Sequence, residues 1–135
     1  MSFEPYLHFQ GFCAEAMAFY ASIFGGVLTL RRFRDLPGGD PGDDAVWHAQ
    51  LVLGHGVLMA SDRPLGSPAA AQSGVTINHD APDATAAARI FAALAVGGTV
   101  TVPMATTPWS PAFGALTDRF GTAWMINTVA PVEGS

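Results

Sequence analysis

The segment Ala14 to Leu30 recurs without a gap as Ala86 to Val102: Ala14, Ala16, Phe19, Ala21, Gly25, Gly26 and Thr29 meet identical residues, seven in seventeen positions. Alanine is abundant, so its matches carry little. The phenylalanine, the paired glycines and the apolar run behind them carry more, because they repeat in the order helix, Gly-Gly stop, strand. A period of about seventy residues is longer than that of a solenoid, whose units run to roughly 20–50. The repeat therefore predicts two supersecondary halves that complete one core, with function sought between them.

At 135 residues the chain amounts to about one domain. Half of it is apolar and 13% is charged, which excludes a disordered polypeptide. Six arginines and no lysine stand against eleven acids, a formal charge of −5, and such a balance repels phosphate backbones. No nucleic-acid partner is expected. The single cysteine, Cys13, excludes an internal disulfide and fits a reducing compartment. Met1-Ser2-Phe3-Glu4-Pro5 lacks a basic region followed by an apolar run, and the alanine-rich stretch broken by Asp83 and Arg89 is too short to span a bilayer. The expectation is a cytoplasmic protein with no membrane partner.

Local signals order the elements. A short strand, Leu7 to Gln10, follows Pro5 and ends at Gly11; a helix from about Ala14 stops at Gly25; Val27 to Phe33 is the next strand. Arg34 to Asp44 reads as a long polar loop, and Trp47 to Leu53 with Val57 to Ser61 form a hairpin about Gly54-His55-Gly56. In the second half a strand near Val75 to His79 precedes a helix capped by Asp83 and ending at Gly97-Gly98. Strands Thr99 to Pro103, Phe113 to Thr117 and Thr122 to Thr128 follow, the last two turned by Asp118-Arg119-Phe120-Gly121. This divides one domain, 1–135, into a first βαβββ module at 1–62, a linker at 63–73 and a second module at 74–130.

Two such modules resemble the vicinal oxygen chelate superfamily of glyoxalases, bleomycin-resistance proteins and extradiol dioxygenases. More narrowly, Pro5-Tyr6-Leu7-His8-Phe9-Gln10-Gly11 leading into Ala14–Tyr20 and Phe24-Gly25-Gly26 is similar to its PhnB-like branch, as are His48-Ala49-Gln50-Leu51, Leu58-Met59-Ala60-Ser61-Asp62, Pro108-Trp109 and Asp118-Arg119-Phe120-Gly121. The resemblance implies an α+β fold in which the two modules form a curved, cup-like mixed sheet with the helices outside. It also implies a homodimer and a small-molecule ligand. In metal-dependent relatives, His or Glu on the first and last strand of each module converge on one ion; here those slots fall at Pro5, Met59, Gly74 and Met125. Proline and glycine offer no ligand atom and thioethers prefer soft ions. No cofactor is expected, and a divalent metal has no support from these slots.

Strand alternation then lays out the lining. If Met59 faces the cup, pairing about the hairpin puts His48, Gln50 and Ser61 on its side. Thr76 and Asn78 share the parity of Gly74, and Asn127 that of Met125. Trp109, flanked by prolines in Pro108-Trp109-Ser110-Pro111, stands at the mouth of the second module, where an indole can stack on a planar ligand. The expected ligand-binding residues are His48, Gln50, Met59, Ser61, Thr76, Asn78, Trp109, Met125 and Asn127, with His48 the candidate for catalysis.

Other chemistry-bearing residues read as structural. His8 has the parity of the helix layer, His55 lies in a turn, and His79 alternates with Val75 and Ile77. Asp40, Asp43, Asp44, Asp80 and Asp83 fall in loop or cap positions, and Arg31, Arg32 and Arg34 form a small basic cluster, solvated or paired with nearby aspartates. Cys13, ahead of a helix, could gain a lowered thiol pKa, but no cysteine-centred motif accompanies it. The glycine pairs end helices rather than start them, so neither is a phosphate loop. The leading reading is a metal-free small-molecule-binding protein. Its competitors are a metal-dependent lyase, isomerase or dioxygenase working around His48, and sequestration of a drug.

Overall fold

The computed structural model describes residues 3–62 and 71–128. The chain forms two compact units, Met1–Ser73 and Gly74–Ser135, each with its own sheet and helix. Residues 63–70, most of the expected linker, and residues 129 and 130 at the end of the expected second module lie outside the described residues.

The first unit contains β1 (Tyr6–Phe9), α1 (Cys13–Phe24), β2 (Val27–Arg32), a 3-10 turn at Phe33–Asp35, β3 (Val46–Leu53) and β4 (Gly56–Asp62). Its sheet runs β1-β4-β3-β2, with β1 parallel to β4 and the other pairs antiparallel. One side of the sheet is apolar: Leu7, Phe9, Ala49, Leu51, Leu58 and Ala60 are buried. Against them α1 buries Cys13, Ala16, Met17, Tyr20 and Ile23, residues spaced three and four apart along one helical face. Polar residues alternate onto the other side, as expected for a sheet packed on one side only.

The second unit repeats the order with β5 (Thr76–Ala81), α2 (Ala84–Leu94), β6 (Thr99–Thr107), β7 (Ser110–Thr117) and β8 (Ala123–Thr128). Its sheet runs β5-β8-β7-β6, again with the first pair parallel. Asp83 caps α2 as expected, accepting from the Ala86 N–H at 2.7 Å. Several boundaries in this unit differ from expectation: β5 runs on to Ala81, and α2 stops at Leu94, ahead of Gly97-Gly98. Strand β6 passes through Pro103 to Thr107, because it is an edge strand with one partner and shifted register, where a missing N–H costs little. Strand β7 starts at Ser110, whose hydroxyl donates to the carbonyls of Ala112 and Thr128, so the turn is confined to Pro108 and Trp109.

Two buried carboxylates hold the chain's bends. Asp62 Oδ1 accepts from the N–H groups of Gly11 and Cys13 at 3.0 and 2.9 Å, and Oδ2 accepts from Val46 at 2.9 Å. Asp118 accepts from the backbone of Phe120 and Thr122 and from Trp124 Nε1 at 2.9 Å. In the first unit the carboxylate ties the start of α1 and of β3 to the end of β4. In the second it fixes the β7–β8 turn.

Candidate functional site

The polar side of the first unit's sheet is laid out by register. His8 pairs with Ser61, and Arg31 with His48; the Ala49–Ala60 pairing sets His48 beside Ser61. A row His8, Ser61, His48, Arg31 therefore takes one residue from each strand. The next row is Tyr6, Met59, Gln50, Thr29, and beyond it Val57, Val52 and Val27. Side-chain bonds join the rows: Tyr6 Oη meets His48 Nδ1 at 3.1 Å, His48 Nε2 meets Gln50 Oε1 at 3.5 Å, and Ser61 Oγ meets His8 Nδ1 at 3.3 Å. The Tyr6 ring lies 5.2 Å from His8 and 5.8 Å from His48, and it is 39% exposed. With its carbonyl oxygen at Nε2, Gln50 suits the tautomer protonated there, which leaves Nδ1 to accept from the tyrosine hydroxyl.

His48, Gln50, Met59 and Ser61 thus share one face, while His8 corrects the expectation that it faces the helix. Counting alternation from Pro5 caused the error. Pro5 precedes β1 and contributes only its carbonyl, which accepts from Met59 N; the residue opposite Met59 is Tyr6. Tyr6 and His8 were missing from the expected lining because the register of the parallel β1–β4 pair is set by no tight turn, and Arg31 because residues 33–45 separate β2 from β3. Trp47 sits where the β2–β3 register shifts, its ring 5.9 Å from His48.

In the second unit Thr76 pairs with Ala123, Asn78 with Met125 and Asp80 with Asn127, continued by Phe113 across β7. Thr76, Asn78, Met125 and Asn127 therefore share a face. Asp80 joins them, which corrects its placement in a loop or cap: it lies within β5 and accepts from Asn78 Nδ2 at 3.1 Å and Asn127 Nδ2 at 3.4 Å. Trp109 is 64% exposed and stands edge-on to Phe113 at 5.8 Å, at the rim of the same face. Gly74 lies ahead of β5 with φ of 76°.

The donors do not suit the divalent ion of metal-dependent relatives. The four positions that the resemblance would give to metal ligands, Pro5, Met59, Gly74 and Met125, offer a backbone carbonyl, two thioethers and a glycine, and the residues paired with the methionines across the parallel ladders, Tyr6 and Asn78, are neutral. No group of three or more His, Cys, Asp or Glu side chains converges among the described residues. His8 and His48 are two strands apart, about 10 Å across the ladder. Cys13 is buried and its thiol is pushed up to about 12 by burial and by the Asp62 charge, against a lowering by Arg32, which disfavours the thiolate that a nucleophile needs.

Comparison with known proteins agrees with this architecture. The model of the Glyoxalase/Bleomycin resistance protein/Dioxygenase superfamily matches residues 7–126. Protein YjdN of Escherichia coli strain K12 is 32% identical over 96% of both chains. The crystal structure of protein PA1353 from Pseudomonas aeruginosa superposes with a TM-score of 0.88 at 40% identity, over 96% of this chain and 98% of that one. The PhnB protein of Bacillus cereus, 24% identical over 96% and 100% of the two chains with a TM-score of 0.78, shares the fold. No helix among the described residues is long and apolar enough to cross a membrane. Two βαβββ units with matching sheets, together with these likenesses, place the chain: it belongs to the glyoxalase/bleomycin resistance protein/dioxygenase superfamily and has the vicinal oxygen chelate fold.

Proposed function

We propose that this chain binds a small, partly aromatic molecule on the polar faces of its sheets and does so without the divalent metal of its catalytic relatives. The observation that carries the reading is the hydrogen-bonded chain Tyr6–His48–Gln50 beside Met59, a preformed polar group on the sheet face opposite α1, which no helix of the unit covers among the described residues. Such a mixture of a few oriented polar groups and apolar surface is what holds small ligands. Ser61 supports the first face through His8. In the second unit Thr76, Asn78, Met125 and Asn127 supply neutral hydrogen-bonding groups and a thioether, and Trp109 supplies a stacking surface. We extend the same proposal to a cytoplasmic homodimer with no nucleic-acid partner. The methyltransferase activity named for the Bacillus cereus neighbour is not carried over, because Gly25-Gly26 and Gly97-Gly98 follow helices and precede strands, the reverse of a strand-to-helix nucleotide loop.

The competing metal-enzyme reading is separated by purification without added metal and elemental mass spectrometry. Substoichiometric metal, together with melting-temperature shifts from a panel of planar aromatic compounds that His48→Ala abolishes, is the expected result. Stoichiometric zinc, nickel or iron that His48→Ala removes would sink the metal-free reading, and a panel that shifts nothing would sink the binding reading. Light scattering that shows a monomer would remove the homodimer.

A further inference from the structure

The row His8, Ser61, His48, Arg31 is rich in nitrogen donors within a chain of net charge −5. None of the strand residues on its face is acidic. Asp62, at the end of β4, pairs with Phe9 on the helix side and spends both oxygens on backbone N–H groups. Glu4 precedes β1 beyond Tyr6, toward the valine row. Of the three clustered arginines, Arg32 donates to the Asp44 carbonyl and Arg34 pairs with the Asp44 carboxylate at 2.6 Å. Arg31 is exposed and has no ion pair or hydrogen bond among the described residues. The pairing with nearby aspartates expected for this cluster is thus made by Arg34, while Arg31 stays solvated.

The internal repeat supplies a control. Traced by the same pairings, the second unit's equivalent row is Asp80, Asn127, Phe113, Ala105, with an acid where the first unit has His8 and apolar residues where it has His48 and Arg31. The neighbouring rows both keep a methionine, Met59 and Met125. The basic row is thus peculiar to the first unit and not a by-product of the fold. Polarity also falls along the strands, from the donor row through Tyr6, Met59, Gln50 and Thr29 to the three valines, a span of about 13 Å.

From this we infer that the first unit's face takes a small amphipathic organic anion, its oxyanion on Arg31 and its apolar body over Met59 toward Val52 and Val57. The inference rests on the small-molecule reading above and names its ligand class. Arg31 supplies a planar fork suited to carboxylate or phosphate oxygens, and His48 lies next to it across the ladder. Tyr6 walls the same side.

Calorimetry on the full chain with benzoate, phenyl phosphate, inorganic phosphate and neutral benzamide tests it. At least one aromatic anion should bind about tenfold or more tightly than benzamide, the gain expected of a charge-assisted contact. Which of the two binds tells a carboxylate ligand from a phosphate one. Arg31→Gln should remove the preference and leave benzamide binding unchanged, Arg31→Lys should keep part of it, and Arg34→Gln should keep all of it, with circular dichroism confirming that each variant is folded. Benzamide binding as tightly as both anions would overturn the anion inference while leaving the small-molecule reading intact. Failure of both anions to bind would also overturn it, and the wider panel above then decides the broader reading. Inorganic phosphate matching phenyl phosphate would remove the role given to the apolar rows.

Discussion

Gly26 and Gly98 occupy equivalent places in the repeat for a steric reason. A Cβ on Gly26 would collide with the Val52 carbonyl oxygen of β3, and one on Gly98 with the Thr117 carbonyl oxygen of β7. The residues just before them, Gly25 and Gly97, have φ of 79° and 74°, where an L side chain is strained. The pair thus combines a positive-φ turn after the helix with close approach of the next strand to its neighbour. Gly25→Ala, with nothing within 4 Å of its Cβ, should cost about 1–2 kcal/mol of stability. Gly98→Ala must displace backbone and should cost more, about 2–3 kcal/mol. Urea denaturation separates them, and a Gly98→Ala loss no larger than that of Gly25→Ala would show that the neighbouring strand gives way to the added Cβ.

Asp62 works at the same scale. Its three backbone donors are buried or part-buried, so Asp62→Ala leaves N–H groups without partners and should cost about 3 kcal/mol or more. A loss below about 1 kcal/mol in the same denaturation series would mean that water replaces the carboxylate.

The two helices start differently, and the difference shows what a sequence can and cannot convey. Asp83 caps α2 from within its own turn, so the cap is legible locally; Asp83→Ala should destabilise by about 1 kcal/mol. Helix α1 has no side-chain cap from Phe12, and Asp62 does that work from 49 residues away. No local pattern announces it. The same division runs through the candidate site. Hairpin pairing about Gly54-His55 put His48, Gln50, Met59 and Ser61 on one face correctly, because a tight turn fixes register. The parallel β1–β4 pair has no such turn, and a one-residue offset hid Tyr6 and His8 on the wrong side. Strand β5 likewise runs to Ala81, beyond the expected end at His79, which turned Asp80 from an apparent loop acid into a strand acid bonded to two asparagines. Elements were legible from periodicity and glycine stops; contacts between distant strands were not.

At the scale of the whole molecule, stability against pH should have two limbs, one from each unit. His79 in β5 has its pKa lowered by burial, with Asp80 opposing the shift. The unfolded imidazole takes up a proton near 6.5 while the native one resists, so unfolding binds protons and stability falls as pH drops below that value. Cys13 at the start of α1 has the opposite sign. Its unfolded thiol ionises near 9.0 and its native thiol near 12, so unfolding releases a proton between them and stability falls as pH rises through that interval. Each group acts on states that expose it. Hydrogen exchange, corrected for its intrinsic pH dependence, should therefore show β5 and α2 loosening first in acid and α1 loosening first in alkali. His79→Gln should flatten the acid limb alone, and Cys13→Ala the alkaline limb alone. If either substitution flattens both limbs, or if exchange rises uniformly across the units at both extremes, the two titrations act through one global opening and the assignment of one limb to each unit fails.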